Sequence, residues 1–147
     1  MSICDLYGKK RPLLSFEVFP PKPESPLSTI YDALSHLRAL SPDFISVTYG
    51  AGGGNQERAL DIAVHIRAQY GLNVLSHLTC VGASRRSVEQ FLLTLRQNGV
   101  DSILALRGDM PKNAGGADPF DEYKSSIDLI KQIRDCLLYT SPSPRDS

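Results

Sequence analysis

One carboxylate, Glu17, interrupts the apolar stretch SFEVFPPK (15–22), which then stops at Pro20 and Pro21. An acid on a covered strand is costly to keep ionised. Two chemistries answer that cost. Either Glu17 pairs with a cation, for which Lys22 and Arg107 are available, or it is a proton donor that desolvation holds protonated toward neutral pH. Three further apolar stretches end in polar groups. FISVTYG (44–50) gives Thr48 and Tyr49 and runs into GAGGG (50–54). VLSHLTC (74–80) gives His77, Thr79 and Cys80, and SILALRG (102–108) gives Arg107 and Gly108, with Asp109 next.

Each of these has a plain reading beside a chemical one. His77 is a satisfied core histidine or a donor to a ligand oxygen or phosphate. No second histidine or carboxylate stands at ligand spacing, so no metal site is expected. The glycine run is a loose connector or a place where backbone closely approaches a ligand. Tyr49 fills a core or stacks on a flat ring. Arg107 and Asp109 form a local ion pair or face a ligand. Cys80 has no adjacent base and reads as packing.

The elements that must position these groups follow from periodicity. LLSFEVF (13–19) and the three runs above start at intervals of roughly thirty residues, the size of one βα unit. Each run is short and apolar, as expected of strands covered on both faces. Helical spacing fills the gaps. Ser25 and Pro26 form a start signal, and Leu27, Ile30, Leu34, Leu37 and Leu40 share a face. Asn55 precedes a second face of Ala59, Ile62, Ala63, Ile66 and Tyr70, with Gly71 as its stop. A third helix starts near Ser84, with Val88, Phe91, Leu92 and Leu95 on one side and Gly99 after it. A fourth has Ile127, Ile130, Ile133 and Leu137 in register. The order βαβαβαβα predicts a parallel sheet with right-handed crossovers. An open doubly wound sheet and part of a (β/α)8 barrel both satisfy it. No GxGxxG follows the first strand, which weakens the dinucleotide-binding form of the open sheet. In either architecture, function gathers where strands end, and four strands here deliver polar groups to one rim.

Composition narrows the partners. Sixteen basic and sixteen acidic residues balance, so no charge imbalance argues for nucleic acid or an anionic membrane. No apolar run has the length of a membrane span, and the N-terminus has no signal-peptide pattern. Cys4, Cys80 and Cys136 are odd in number and far apart, as for free thiols in a reducing cytoplasm.

SFEVFPPK, ISVTYGAGG, HLTC and LALRGDMP, in that order and one per strand end, resemble the methylenetetrahydrofolate reductase family. The resemblance runs from about Lys10 to about Cys136. It implies a (β/α)8 TIM barrel, of which this chain carries about the first four βα units. It implies FAD across the strand ends and NAD(P)H as co-substrate. The reaction would be reduction of 5,10-methylenetetrahydrofolate to 5-methyltetrahydrofolate, in one-carbon and methionine metabolism. Glu17 matches the general acid that opens the five-membered folate ring. Asp109 matches the acidic residue beside flavin and folate, where its charge favours a cationic iminium. Tyr49, Ala51, His77, Arg107 and Gly108 match flavin contacts, and Thr48 matches a position near the nicotinamide. Full-length members of such a family are expected to be cytoplasmic homo-oligomers acting on a small folate, without nucleic acid or membrane.

Residues 1–136 then form the N-terminal half of the family barrel, and 137–147 a non-family tail. LLYTSPSPRDS resists both helix and strand and is expected to be disordered or an artefact of transcript assembly. A complete barrel takes about 250 residues, so the 147-residue chain is expected to be an incomplete, inactive enzyme by itself. The alternatives are another barrel enzyme using Glu17 and His77 as acid–base groups on a phosphorylated or carbonyl substrate, or a non-enzymatic half barrel.

Overall fold

The four apolar runs form β1 (Ser15–Val18), β2 (Phe44–Val47), β3 (Asn73–Thr79) and β4 (Ser102–Leu106) in a computed structural model of the chain. The structure describes residues 3–8, 11–22, 24–48, 56–80, 83–107 and 125–140. All the strands are parallel and lie in sequence order within one sheet. Between and after them run α2 (Ser28–Leu37), α3 (Gln56–His65), α4 (Arg85–Gln97) and α5 (Ser126–Thr140). A four-residue helix, α1 (Ile3–Leu6), precedes the sheet. Helix α5 continues through Thr140, beyond the 1–136 boundary read from the sequence.

Parallel pairing places partners on the same side of a sheet. The register Val18↔Val47↔Ser76↔Ile103 and the pair Leu78↔Ala105 therefore share one face. That face is the core, where Ile45, Val47 and Leu78 are wholly buried with Leu34 of α2, Ile62 and Ala63 of α3, Leu95 of α4 and Leu129 of α5. Cys80 lies in the same core, a free thiol whose Sγ–H reaches the Ser125 carbonyl at 3.4 Å. The opposite face is different. It is covered only at the N-terminal end of the strands, where Ile3 and Leu6 of α1 join Leu13, Phe44 and Leu75. Further up it is open, with Leu104 and Leu106 exposed among the described residues. The expectation of strands covered on both faces is met on the core side; on the second side His77 is buried while Leu104 and Leu106 of β4 are exposed.

Local signals explain the helix ends. Ser84 caps α4, accepting from the Ser87 N–H at 3.1 Å while the Ser87 hydroxyl accepts from the Ser84 N–H at 3.0 Å. Helix α3 ends in a wider π turn, Ile66–Tyr70, which Gly71 stops with φ 64°, a left-handed conformation suited to glycine. Ser25 does not cap α2. The helix starts at Leu27–Ser28 with no side-chain cap, and Ser25 instead closes a turn onto Lys22 and offers its carbonyl to Arg58. The predicted face of α2 also ends early, since Leu40 falls in a 3₁₀ turn and is exposed. At the base of the sheet Asp43 accepts two bonds from Arg11 and one from the Leu14 N–H, tying β1 to β2.

Helix α5 departs most from its sequence pattern. Its buried side is Leu129, Gln132 and Ile133, whereas Ile127 and Ile130 are 61% and 42% exposed. The helix carries apolar residues on two sides, and only one of them faces this core.

Candidate active site

The open face of the sheet carries the polar residues singled out above. Glu17 pairs in register with Ser46, which pairs with Leu75, so their side chains share that face. Two residues on, Thr48 extends β2 by donating its N–H to the Val18 carbonyl at 3.1 Å. Alternation puts Thr48 and His77 on the same side, with His77 paired to Leu104. Thr79, paired to Leu106, forms the next tier. Glu17, Thr48, His77 and Thr79 thus rise along one face toward the C-terminal ends of the strands. Arg107 follows β4 and is exposed at the same end. Cys80 points the other way, into the core, as the packing reading expects.

Burial separates these groups. Glu17 is exposed, so the desolvation expected of an inward acid is not realised by four strands alone. His77 is 9% exposed. Burial pushes its imidazole below the ordinary value of 6.5, and the negative charge of Glu17 works against that shift. Glu17 and His77 are therefore electrostatic neighbours. Among the described residues no ion pair joins Glu17 to Lys22.

The hydroxyls of Thr48 and Thr79 are buried without a hydrogen-bond partner among the described residues. A hydroxyl left so costs about 1–3 kcal/mol unless something else satisfies it. Both sit on the His77 face, one tier apart. Thr79 and Ser46 were not assigned roles from the sequence; the signal for both is strand parity with Glu17 and His77. Tyr49, Ala51, Gly108, Asp109, the Asn55 cap and the GAGGG run lie outside the described residues, as does the stretch 112–123. Among the described residues no group of three or more histidines, cysteines or carboxylates gathers at metal-binding distance. No described helix is long and apolar enough to cross a membrane. A cleft of about 410 Å³ lies on the outer helical layer beside the stacked Tyr31 and His65 rings, away from this face.

The lowered imidazole has a consequence for stability. Between pH 6.5 and the lower folded value, the unfolded chain takes up a proton that folded His77 refuses. Stability is therefore expected to fall as pH drops through that window and to stay level above it. Urea midpoints measured at about pH 7.5 and about pH 5.5 should differ less for His77→Gln than for the parent chain. Equal slopes for the two proteins would remove burial of His77 as the cause.

A family model for methylenetetrahydrofolate reductase matches residues 2–139. A protein of Escherichia coli K12 named 5,10-methylenetetrahydrofolate reductase is 34% identical over 134 residues, covering 91% of this chain and 44% of its own length. The namesake in Pectobacterium carotovorum gives the same identity and coverage. A rice protein named probable methylenetetrahydrofolate reductase (NADH) is 34% identical over 128 residues, 84% of this chain and 21% of that protein. The chain thus spans less than half the length of these relatives. A solved structure from Aquifex aeolicus VF5 superposes on 92% of this chain and 54% of its own, with TM-score 0.58 and 13% identity, a likeness of fold.

Proposed function

Because the chain belongs to the methylenetetrahydrofolate reductase family, we propose that it forms the first half of a (β/α)8 barrel that reduces 5,10-methylenetetrahydrofolate to 5-methyltetrahydrofolate with NAD(P)H and FAD. One observation carries the reading. An acid, a buried imidazole and two unpartnered hydroxyls, on three adjacent parallel strands, share the face and strand end where barrel enzymes build their sites.

The residues present fit a flavin. Its ring system offers carbonyl and nitrogen edges, the kind of partner that the hydroxyls of Thr48 and Thr79 lack. Thr48, His77 and Arg107 would hold it, joined by Tyr49, Ala51, Gly108 and Asp109, whose roles rest on the family resemblance. When bound, the flavin supplies the hydride relay between nicotinamide and folate. The chain's own residues do the rest. Glu17 delivers a proton to a folate ring nitrogen, so that the five-membered ring opens to an iminium. Asp109 favours that cation electrostatically. His77, held neutral by burial, orients a ring edge without adding charge. In this sheet Glu17 is exposed and Leu104 and Leu106 are uncovered, so the second half of the barrel must supply the wall that dries the site. The separated cysteines and balanced charge support a cytoplasmic setting.

A full-length reductase carrying these residues is expected to purify yellow, with absorbance in the flavin region. It should oxidise NAD(P)H only when methylenetetrahydrofolate or another acceptor is present. Thr48→Val and Thr79→Val should each weaken flavin retention by roughly tenfold, the value of one hydrogen bond to a buried partner. A colourless protein that still turned over a phosphorylated substrate would sink this reading in favour of a different barrel enzyme.

A further inference from the structure

Level with Glu17 across the sheet lie Ser46, Leu75 and Ser102 in turn, on the face that carries His77 and Thr79. Ser46 is the in-register neighbour of Glu17 on the next strand, and adjacent strands stand about 4.8 Å apart. Ser102 lies three strands off, beyond Leu75, and its hydroxyl donates to the Asp101 carboxylate at 3.4 Å. The strand that carries Ser46 is fixed on both sides, by β1 and β3. Its neighbours Ile45 and Val47 are wholly buried in the core, and Phe44, two residues below on its own face, is buried against α1. Ser46 itself is half-buried. A valine or threonine would suit a strand better.

We infer that Ser46 is the positioning residue of Glu17, donating its hydroxyl to one carboxyl oxygen while the other gives up the proton. The inference rests on the reductase reading of Glu17. In the protonated acid, the Ser46 O–H meets the carbonyl oxygen and leaves the acidic O–H turned toward the folate. The Glu17 O–H bond then breaks, an N–H bond forms on the folate ring nitrogen, and a carboxylate remains. The donation from Ser46 becomes charge-assisted, roughly twice as strong as before. A bond that strengthens as the proton leaves lowers the barrier rather than merely binding. In the open sheet Glu17 is exposed and water competes for both groups, so the bond is one that the filled, dry site makes. Three charged or titratable groups stand near Glu17 among the described residues. His77 of β3 feels its charge, Arg107 follows β4 at the same end, and Lys22 lies further along its own chain. A substitution at Ser46 leaves all three in place.

Anaerobic rapid mixing of a full-length reductase carrying these residues tests this, with the two half-reactions followed separately across pH. Ser46→Ala should slow reduction of methylenetetrahydrofolate on the low-pH plateau by roughly ten- to a hundredfold, the worth of a hydrogen bond to a charged group. The basic limb of that half-reaction should move to higher pH, because the lost bond favoured the ionised carboxyl. Flavin content and flavin reduction by NAD(P)H should stay within about a few-fold of the parent. Ser46→Thr keeps the hydroxyl and should restore most of the rate and the position of the limb. A parent-like rate and limb in Ser46→Ala overturns the inference and leaves Ser46 a spacer. So does a Ser46→Thr as slow as the alanine variant, or an equal loss in both half-reactions. If Ser46→Ala fails to fold, Ser46→Cys, with its weak donor, should show the same limb shift in smaller measure, and an unshifted limb overturns the inference. A parent enzyme without flavin or folate turnover sinks the reductase reading, and the role of Ser46 with it.

Discussion

Glu17→Gln in a full-length family reductase carrying these residues is expected to lower folate turnover by roughly 10²–10⁴-fold, the usual worth of a positioned general acid. Glutamine keeps the shape and the hydrogen-bonding reach of the side chain but has no proton to give. The effect should be confined to one half of the reaction. Flavin content, and NAD(P)H oxidation by an artificial acceptor, should stay within about a few-fold of the parent, since neither needs the folate ring opened. Stability should be unchanged within about 0.5 kcal/mol, because Glu17 is exposed and makes no ion pair in the described structure. Rapid-mixing kinetics of the two half-reactions separate these outcomes. Equal losses in both halves would mean that Glu17 holds the flavin rather than the proton. No loss in either would remove it from the chemistry.

Ile45→Ala should cost about 3–4 kcal/mol in urea unfolding of the 147-residue chain, within the range for a buried isoleucine cut to alanine. Ile45 is fully buried on β2, an inner strand, between Phe16 and Val74 in register. It shares its core with Ile62, Ala63 and Ile66 of α3 and its terminal turn. A strand held on both sides cannot shift to fill the space, so the cavity persists and its cost is paid in full. A fold of this size is commonly stable by only 5–15 kcal/mol, so the loss is a large share. Ile45→Val, which removes one methyl, should cost about 1 kcal/mol. If both variants lost under 1 kcal/mol, β2 would not be an inner strand.

What the sequence disclosed depended on how many neighbours an element has. β2, β3, α3 and α4 are flanked on both sides, and their apolar residues had one place to go. Val88, Phe91, Leu92 and Leu95 are all buried, as their spacing predicts. Helix α5 lies at the sheet's edge. Its isoleucines divide between two sides, so the series Ile127, Ile130, Ile133 and Leu137 pointed to a face the structure does not bury as a unit. Glu17 shares a face with Thr48 and His77 yet is exposed, because desolvation comes from walls beyond the strand that carries the acid. Ser25 looked like a cap because Pro26 follows it, yet a turn onto Lys22 takes up the chain before the helix begins. The unpartnered hydroxyls of Thr48 and Thr79 had no signature in composition. Only the pairing of β2 with β3 sets them one tier apart.

Helix α1 has a consequence for the order of events. It lays Ile3 and Leu6 across Leu13, Phe44 and Leu75 beneath the open face. In the proposed barrel that apolar patch would form a floor at the N-terminal ends of the strands. A nicotinamide and a folate would then enter and leave by the opposite end, where the strands finish, one after the other.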